Sequence, residues 1–215
     1  MKRLLLILTV LALAQAGGRA AETVLFAPDF SHGIPAGWQN VSFFSKKTDY
    51  SVRTEGTNVC LHAEAVAGCS ALSVKLALTP GARLKLCWRW RIAAVNTNGS
   101  ERELATFDHA ARVFIAFDTF IGAPRTLNYL WANVEPPGTL LAHPKSSRTQ
   151  LIVLESGNAR AGQWVTEERD VAADWARAFP GKTMPKVAGL GVMTDSDSLG
   201  GTLTGDYADL QLAGE

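Results

Sequence analysis

The chain has 215 residues, 47% hydrophobic and 19% charged, with a formal net charge of +1. That length suits one domain with a substantial core, and Gly (19) and Pro (9) are too few for a collagen-like or disordered chain. The near-neutral balance carries no electrostatic footprint for nucleic acid or for an anionic membrane surface as partner.

The first twenty residues read as a secretory signal. Lys2 and Arg3 form a positive start, residues 4–14 are apolar apart from Thr9, and Ala14-Gln15-Ala16 and Gly18-Arg19-Ala20 are two small-x-small cleavage sites. The apolar run is shorter than the ~20 residues of a spanning helix, and no Cys follows it to carry a lipid. The expectation is a signal peptide over residues 1–20 and a single mature domain over 21–215, periplasmic or secreted, with no membrane span left after processing. Cleavage after Ala20 removes Lys2, Arg3 and Arg19 and leaves 18 basic against 20 acidic residues.

Short strands then follow one another. Thr23-Val24-Leu25-Phe26 is the first, and a turn-rich stretch from Pro28 ends on Trp38. Residues 41–44 and 50–53 are short strands. Residues 58–65 and 70–76 alternate around Gly68 and predict a hairpin. Leu84–Ile92 places Leu84, Leu86, Trp88, Trp90 and Ile92 on one face and Lys85, Cys87, Arg89 and Arg91 on the other, so its bulky side belongs to the core. After a polar loop over 94–107, residues 110–118 put Val113, Ile115 and Phe117 on one face and Arg112, Phe114 and Asp118 on the other. Residues 126–131, 149–155, 163–170, 187–194 and 205–212 complete the strands, and 134–147 reads as a loop. One short helix over 170–179 has Asp170 as N-cap and Val171, Trp175 and Phe179 along one side. This pattern predicts an all-β fold, a two-sheet antiparallel sandwich of jelly-roll type with one helix, in which the last strand pairs with the first ones.

Cys60, Cys69 and Cys87 form an odd set, so at least one thiol is free or intermolecular. Cys60 and Cys69 flank the expected hairpin. A disulfide between them and three small buried side chains are both open.

Several stretches together resemble an exported bacterial family, domain of unknown function 3047. They include Ile34-Pro35-Ala36-Gly37-Trp38, Leu86-Cys87-Trp88-Arg89-Trp90-Arg91, Asp108-His109-Ala110-Ala111-Arg112-Val113-Phe114 and Leu127-Asn128-Tyr129-Leu130-Trp131. Gln163-Trp164-Val165, Met193-Thr194-Asp195-Ser196-Asp197 and Tyr207-Ala208-Asp209-Leu210 continue it. The resemblance implies export and a sandwich, and implies no reaction.

Three constellations bear on chemistry. Arg89, Arg91, Asp108, Arg112, Asp118, Tyr129 and Trp131 would share a concave sheet face if their strands are neighbours, and forked guanidinium donors with aromatic rings suit a saccharide or another polar cell-envelope ligand. The plainer alternative makes Arg89–Asp118 and Arg112–Asp108 cross-strand ion pairs and puts Tyr129 and Trp131 in the core. Asp195-Ser196-Asp197, helped by Asp209, resembles half of a calcium loop, so a structural calcium ion is a candidate cofactor, against an Asx-turn that satisfies its own backbone. Glu155, Glu167, Glu168, Asp170, Asp195 and Asp209 are candidate acids for glycoside cleavage. His32, His62, His109 and His143 are scattered, without metal-ligand spacing, and no Gly-x-Ser-x-Gly turn occurs. The leading expectation is a non-catalytic saccharide-binding sandwich. The alternatives are a polysaccharide-acting hydrolase or lyase and an envelope structural or assembly protein.

Overall fold

The computed structural model describes residues 22–42, 46–81, 83–119 and 121–214. The expected signal peptide, and residues 43 and 44 of the expected strand 41–44, lie outside the described residues.

Two sheets pack face to face. The six-stranded sheet runs β11 (Val165–Asp170), β6 (Leu84–Ile92), β13 (Thr202–Gly214), β4 (Asn58–Val66), β3 (Asp49–Glu55), with β1 (Thr23–Phe26) on the end of β13. The seven-stranded sheet runs β2 (Trp38–Ser42), β5 (Cys69–Leu78), β12 (Val187–Asp195), β7 (His109–Phe117), β8 (Arg125–Ala132), β10 (Ser146–Ser156), β9 (Leu140–His143). All pairings of named strands are antiparallel except β8 with β10. The last strand does pair with the first, Thr23 opposite Gly214. The short β9 lies within the expected loop 134–147.

Alternation dictates the core. Leu84, Leu86, Trp88, Trp90 and Ile92 are all buried on one side of β6, while the residues between them are half-exposed. Trp88 and Trp90 meet edge to face at 5.3 Å, Trp88 lies 5.3 Å from Tyr129, and Trp90 lies 5.8 Å from Trp131. Val113, Ile115 and Phe117 of β7 complete this layer. Each such ring or branched chain contributes roughly 1.5–3 kcal/mol when fully removed from water.

The hairpin expected around Gly68 does not form. β4 pairs with β3 and β13, whereas β5 pairs with β2 and β12, so the chain crosses from one sheet to the other between them. Ala67 turns in the left-handed region (φ 48°), and its N–H donates to Gly201 O at 2.9 Å. A side chain at Gly68 would stand 2.9 Å from the Lys46 carbonyl, so only glycine fits that crossing. Cys60 and Cys69 thus fall in different sheets, and all three cysteines are free thiols.

The helix α1 (Val171–Ala178) follows β11 directly. The Asp170 side chain accepts from the Ala173 N–H at 2.9 Å, the expected cap. Trp175 packs at 4.6 Å from Phe117 and 4.4 Å from Phe179, holding the helix to the rest of the molecule. Among the described residues no helix is long and apolar enough to cross a membrane.

Candidate functional site

The outer face of the seven-stranded sheet carries a pocket of about 510 Å³. Its floor follows from strand alternation. Val113 and Ile115 point inward, so Arg112 and Phe114 of β7 point out, and on neighbouring strands Ala71, Met193, Thr126, Asn128 and Thr149 do the same. Phe114 extends over β12 at Gly191, where a side chain would stand 2.5 Å from the ring. Leu104 and Phe107, from the 3-10 turn Leu104–Thr106 and its end, line the pocket together with His143 and Lys145. Phe107 also roofs a small outer cluster with Leu130 and Leu151.

Arg112 is the central charge. It is 4% exposed, its Nη2 lies 2.6 Å from Asp195 Oδ1, and its Cζ sits 5.4 Å from the Phe107 ring. Burial outweighs the opposing guanidinium and pushes the Asp195 carboxyl up to about 7. Burial also lifts the Cys69 thiol to about 12, Asp195 adding to it, and lowers His143 to about 4, helped by Arg112 and Lys145. A polar row crosses the other side: Asn128 Nδ2 donates to Thr126 Oγ1 at 3.0 Å, which donates to Thr149 Oγ1 at 3.0 Å.

Two buried carboxylates brace the loops near the pocket. Asp108 accepts from the Ser198 and Leu199 N–H groups at 2.9 and 2.8 Å. Glu101 accepts from the N–H groups of Asn133, Val134 and Glu135. Its Oε1 lies 3.6 Å from Nε2 of the fully buried His109, whose own burial holds it well below the usual imidazole range.

The seven residues expected to share a face are dispersed. Arg112 lines the pocket, and Asp108 braces the adjoining loop. Asp118, six residues beyond Arg112 and on the order of 20 Å along the strand direction, is exposed at the far end. Tyr129 and Trp131 are fully buried in the core, where Tyr129 Oη donates to Asp174 and Trp131 Nε1 donates to Gly157 O. Arg89 and Arg91 stand on the opposite side of the molecule, on the outer face of the six-stranded sheet. Arg89 bonds Asp209 and Asn58, Arg91 bonds Asp206 and Glu55, and both cover the Trp164 ring at 5.1 and 4.8 Å. The cause is topological: β6 and β7 belong to different sheets, so their outward faces point in opposite directions. The ion pairs are those of the plainer alternative in kind, but with other partners.

The calcium set is likewise not assembled. Asp209 is engaged by Arg89 on the far face, and Cys69 takes its place beside Asp195 and Asp197, with ligand atoms within 4.8 Å of one another. One carboxylate committed to Arg112 and a thiol in place of an oxygen suit calcium poorly, since it wants six to eight oxygens. Of the pocket's lining, sequence reasoning placed Arg112 in a candidate site and Phe114 on the same outward face, and it missed Asn128 and Met193 among others. An outward Phe114 beside Arg112 was the available signal, since a large apolar ring on a solvent-side strand position marks a surface that something covers.

A family model described as "Protein of unknown function (DUF3047)" matches residues 36–211. The chain belongs to that family. No curated protein sequence matches this DUF3047 chain. Among solved structures it is similar to the family 11 carbohydrate-binding module of Clostridium thermocellum in complex with a β-1,3-1,4-mixed-linked tetrasaccharide, at 13% identity over 90% of this chain and 95% of that one, TM-score 0.46. It is similar also to the xyloglucanase domain of NopAA from Sinorhizobium fredii in complex with cellobiose, at 10% identity over 90% and 98%, TM-score 0.48. A third is the K1 adhesin domain of Lys-gingipain from Porphyromonas gingivalis, at 12% identity over 88% and 98%, TM-score 0.45.

Proposed function

We propose that this DUF3047 protein is an exported, non-catalytic sandwich that binds a saccharide of the cell envelope or its surroundings in the pocket on the seven-stranded sheet. The observation that carries this reading is the pocket's two-sided lining. Phe114, Met193 and Leu104 offer apolar surface for the C–H face of a sugar ring, and Asn128, Thr126 and Thr149 offer a row of groups for its hydroxyls. The candidate acids favour binding over cleavage, because each has a structural partner. Glu155 pairs with Arg160, Glu167 accepts from Trp90, Glu168 pairs with Lys85, Asp170 caps the helix, and Asp195 and Asp209 pair with arginines.

Titration against a glycan panel, read by calorimetry and by amide chemical shifts, tests the site. The expected result is saccharide binding with shifts on β7, β8 and β12, weakened about tenfold or more by Asn128→Ala and by Phe114→Ala, with no new reducing ends released. Absence of binding, or binding indifferent to both substitutions, overturns the assignment. Export rests on the leader at the N-terminus. N-terminal sequencing of the chain recovered from the periplasm or medium is expected to start at residue 17 or 21, and a mature chain that keeps Met1 contradicts it.

A further inference from the structure

The pocket is electrically sided. Strand order places β7, with Arg112, in the middle. Asp195 of β12 and Asp197 of the loop after it lie to one side, and Lys145, in the turn between β9 and β10, lies to the other. Arg112 gives Nη2 to Asp195, but its Nε is buried with no acceptor among the described residues. Lys145, exposed in that turn, makes no ion pair among the described residues.

A buried donor without an acceptor forfeits its hydration with nothing in return, and such groups in a folded protein call for a partner the protein itself does not supply. A guanidinium is a planar fork matched to a carboxylate. Asp195 engages the guanidinium through Nη2 at 2.6 Å and leaves its Nε without an acceptor among the described residues. The middle and the Lys145 side therefore favour a negative group, while exposed Asp197 on the other side favours hydroxyl donors. Polyanions that would crowd charge against Asp197 do not suit this layout, whereas a single carboxylate on a hydroxyl-rich ring does.

We propose that the saccharide recognised here is acidic, a uronate-type sugar whose carboxylate accepts from Arg112 Nε and faces Lys145, with its ring hydroxyls toward Asp197 and Asn128. This rests on the pocket being a saccharide site. The ligand class thereby narrows from glycans in general to uronate-bearing ones.

The test pairs each oligosaccharide carrying a single uronate residue with its methyl ester, which keeps the shape and removes the charge. Glucuronate, galacturonate and mannuronate series, each beside its neutral hexose counterpart, are titrated into the mature chain. The acids are expected to bind about tenfold or more tightly than their esters, with the preference falling as salt rises. Arg112→Gln is expected to abolish the preference and Lys145→Gln to reduce it about threefold. Lys145 is exposed, so its variant decides the matter if Arg112→Gln does not fold by circular dichroism. Esters or neutral sugars that bind as well as the acids overturn the uronate inference and leave the saccharide reading standing. An acid preference untouched by either folded variant also overturns it. If no sugar of either kind binds, the saccharide reading falls and the inference with it.

Discussion

Arg112 on β7 reaches diagonally across to Asp195 on β12, Nη2 to Oδ1 at 2.6 Å, and both side chains are almost wholly removed from water. Asp195 Oδ1 also accepts from the His109 N–H at 3.3 Å. A buried pair contributes little over an apolar replacement, yet removing one partner strands the other charge. Asp195→Ala is therefore expected to lower stability by about 3–5 kcal/mol in urea unfolding. Asp195→Asn keeps an acceptor for the guanidinium and is expected to lose less. A loss under about 1 kcal/mol for the alanine variant would mean that water reaches the pair.

The two indoles at the centre of β6 are not equivalent. Trp90 Nε1 donates to Glu167 Oε1 at 3.2 Å, while Trp88 Nε1 is buried with no partner among the described residues. Replacing either by Phe removes ring volume from a closely packed layer. Only Trp90→Phe also removes a hydrogen bond. It is expected to be more destabilising than Trp88→Phe by about 1 kcal/mol, measured by denaturant midpoints at unchanged slope. Equal losses would assign the whole effect to packing.

What alternation encodes was legible, and what strand order encodes was not. The inward faces of β6 and β7 follow from side-chain period alone, and Asp170 announces its helix by a local bond to Ala173. A strand's period says that Arg89 and Arg112 both point outward. It does not say outward from which sheet, because that depends on pairings such as Asp206 opposite Arg91 and Met193 opposite Arg112, more than eighty residues away in sequence. A Gly between two alternating runs serves a hairpin and a sheet crossing alike, so the run of residues around Ala67-Gly68 does not distinguish them. Only the close Lys46 carbonyl, over twenty residues upstream, separates them. The place of Asp209 depends likewise on a feature that side-chain period does not encode. A bulge between Ala208 and Gln211, with Asp209 itself at φ 53°, turns it away from Asp195 and toward Arg89.

Asp108 ties the start of β7 to the loop that carries Asp197 by two backbone bonds. Asn at this position keeps one good acceptor and places an N–H₂ donor against a backbone N–H. Asp108→Asn is expected to lose about 1–3 kcal/mol and to speed amide hydrogen exchange at Ser198 and Leu199 ahead of the strand centres. Exchange accelerated evenly across β12 instead would show that the carboxylate supports the sheet rather than the loop.

The arginines on the far sheet serve as an internal control. Arg91→Ala removes bonds to Asp206 and Glu55 and uncovers part of Trp164. Partly exposed pairs of this kind contribute on the order of 1 kcal/mol. The variant is expected to fold, with a small drop in melting temperature, and to bind the pocket's ligand within twofold of the parent. A larger loss of binding would relocate the site to the six-stranded sheet.

Glu167 gives the molecule a stability slope with pH. Burial, and then the charge of Glu155, push its carboxyl up to about 7 from 4.5, against the opposing pull of the Trp90 hydrogen bond and Arg160. The folded state thus keeps a proton that the unfolded chain releases near 4.5. The associated stability is fully present below pH 4.5 and is lost as pH rises through about 7. Because the side chain is partly exposed, solvent screening limits the effect to on the order of 1 kcal/mol. Glu167→Gln imitates the protonated form and still accepts from Trp90. The variant is expected to match the parent at pH 4 and to exceed it above pH 7, by urea unfolding at constant ionic strength. Parallel curves for the two proteins across that window would show that Glu167 titrates alike in the folded and unfolded states, with water reaching it in both.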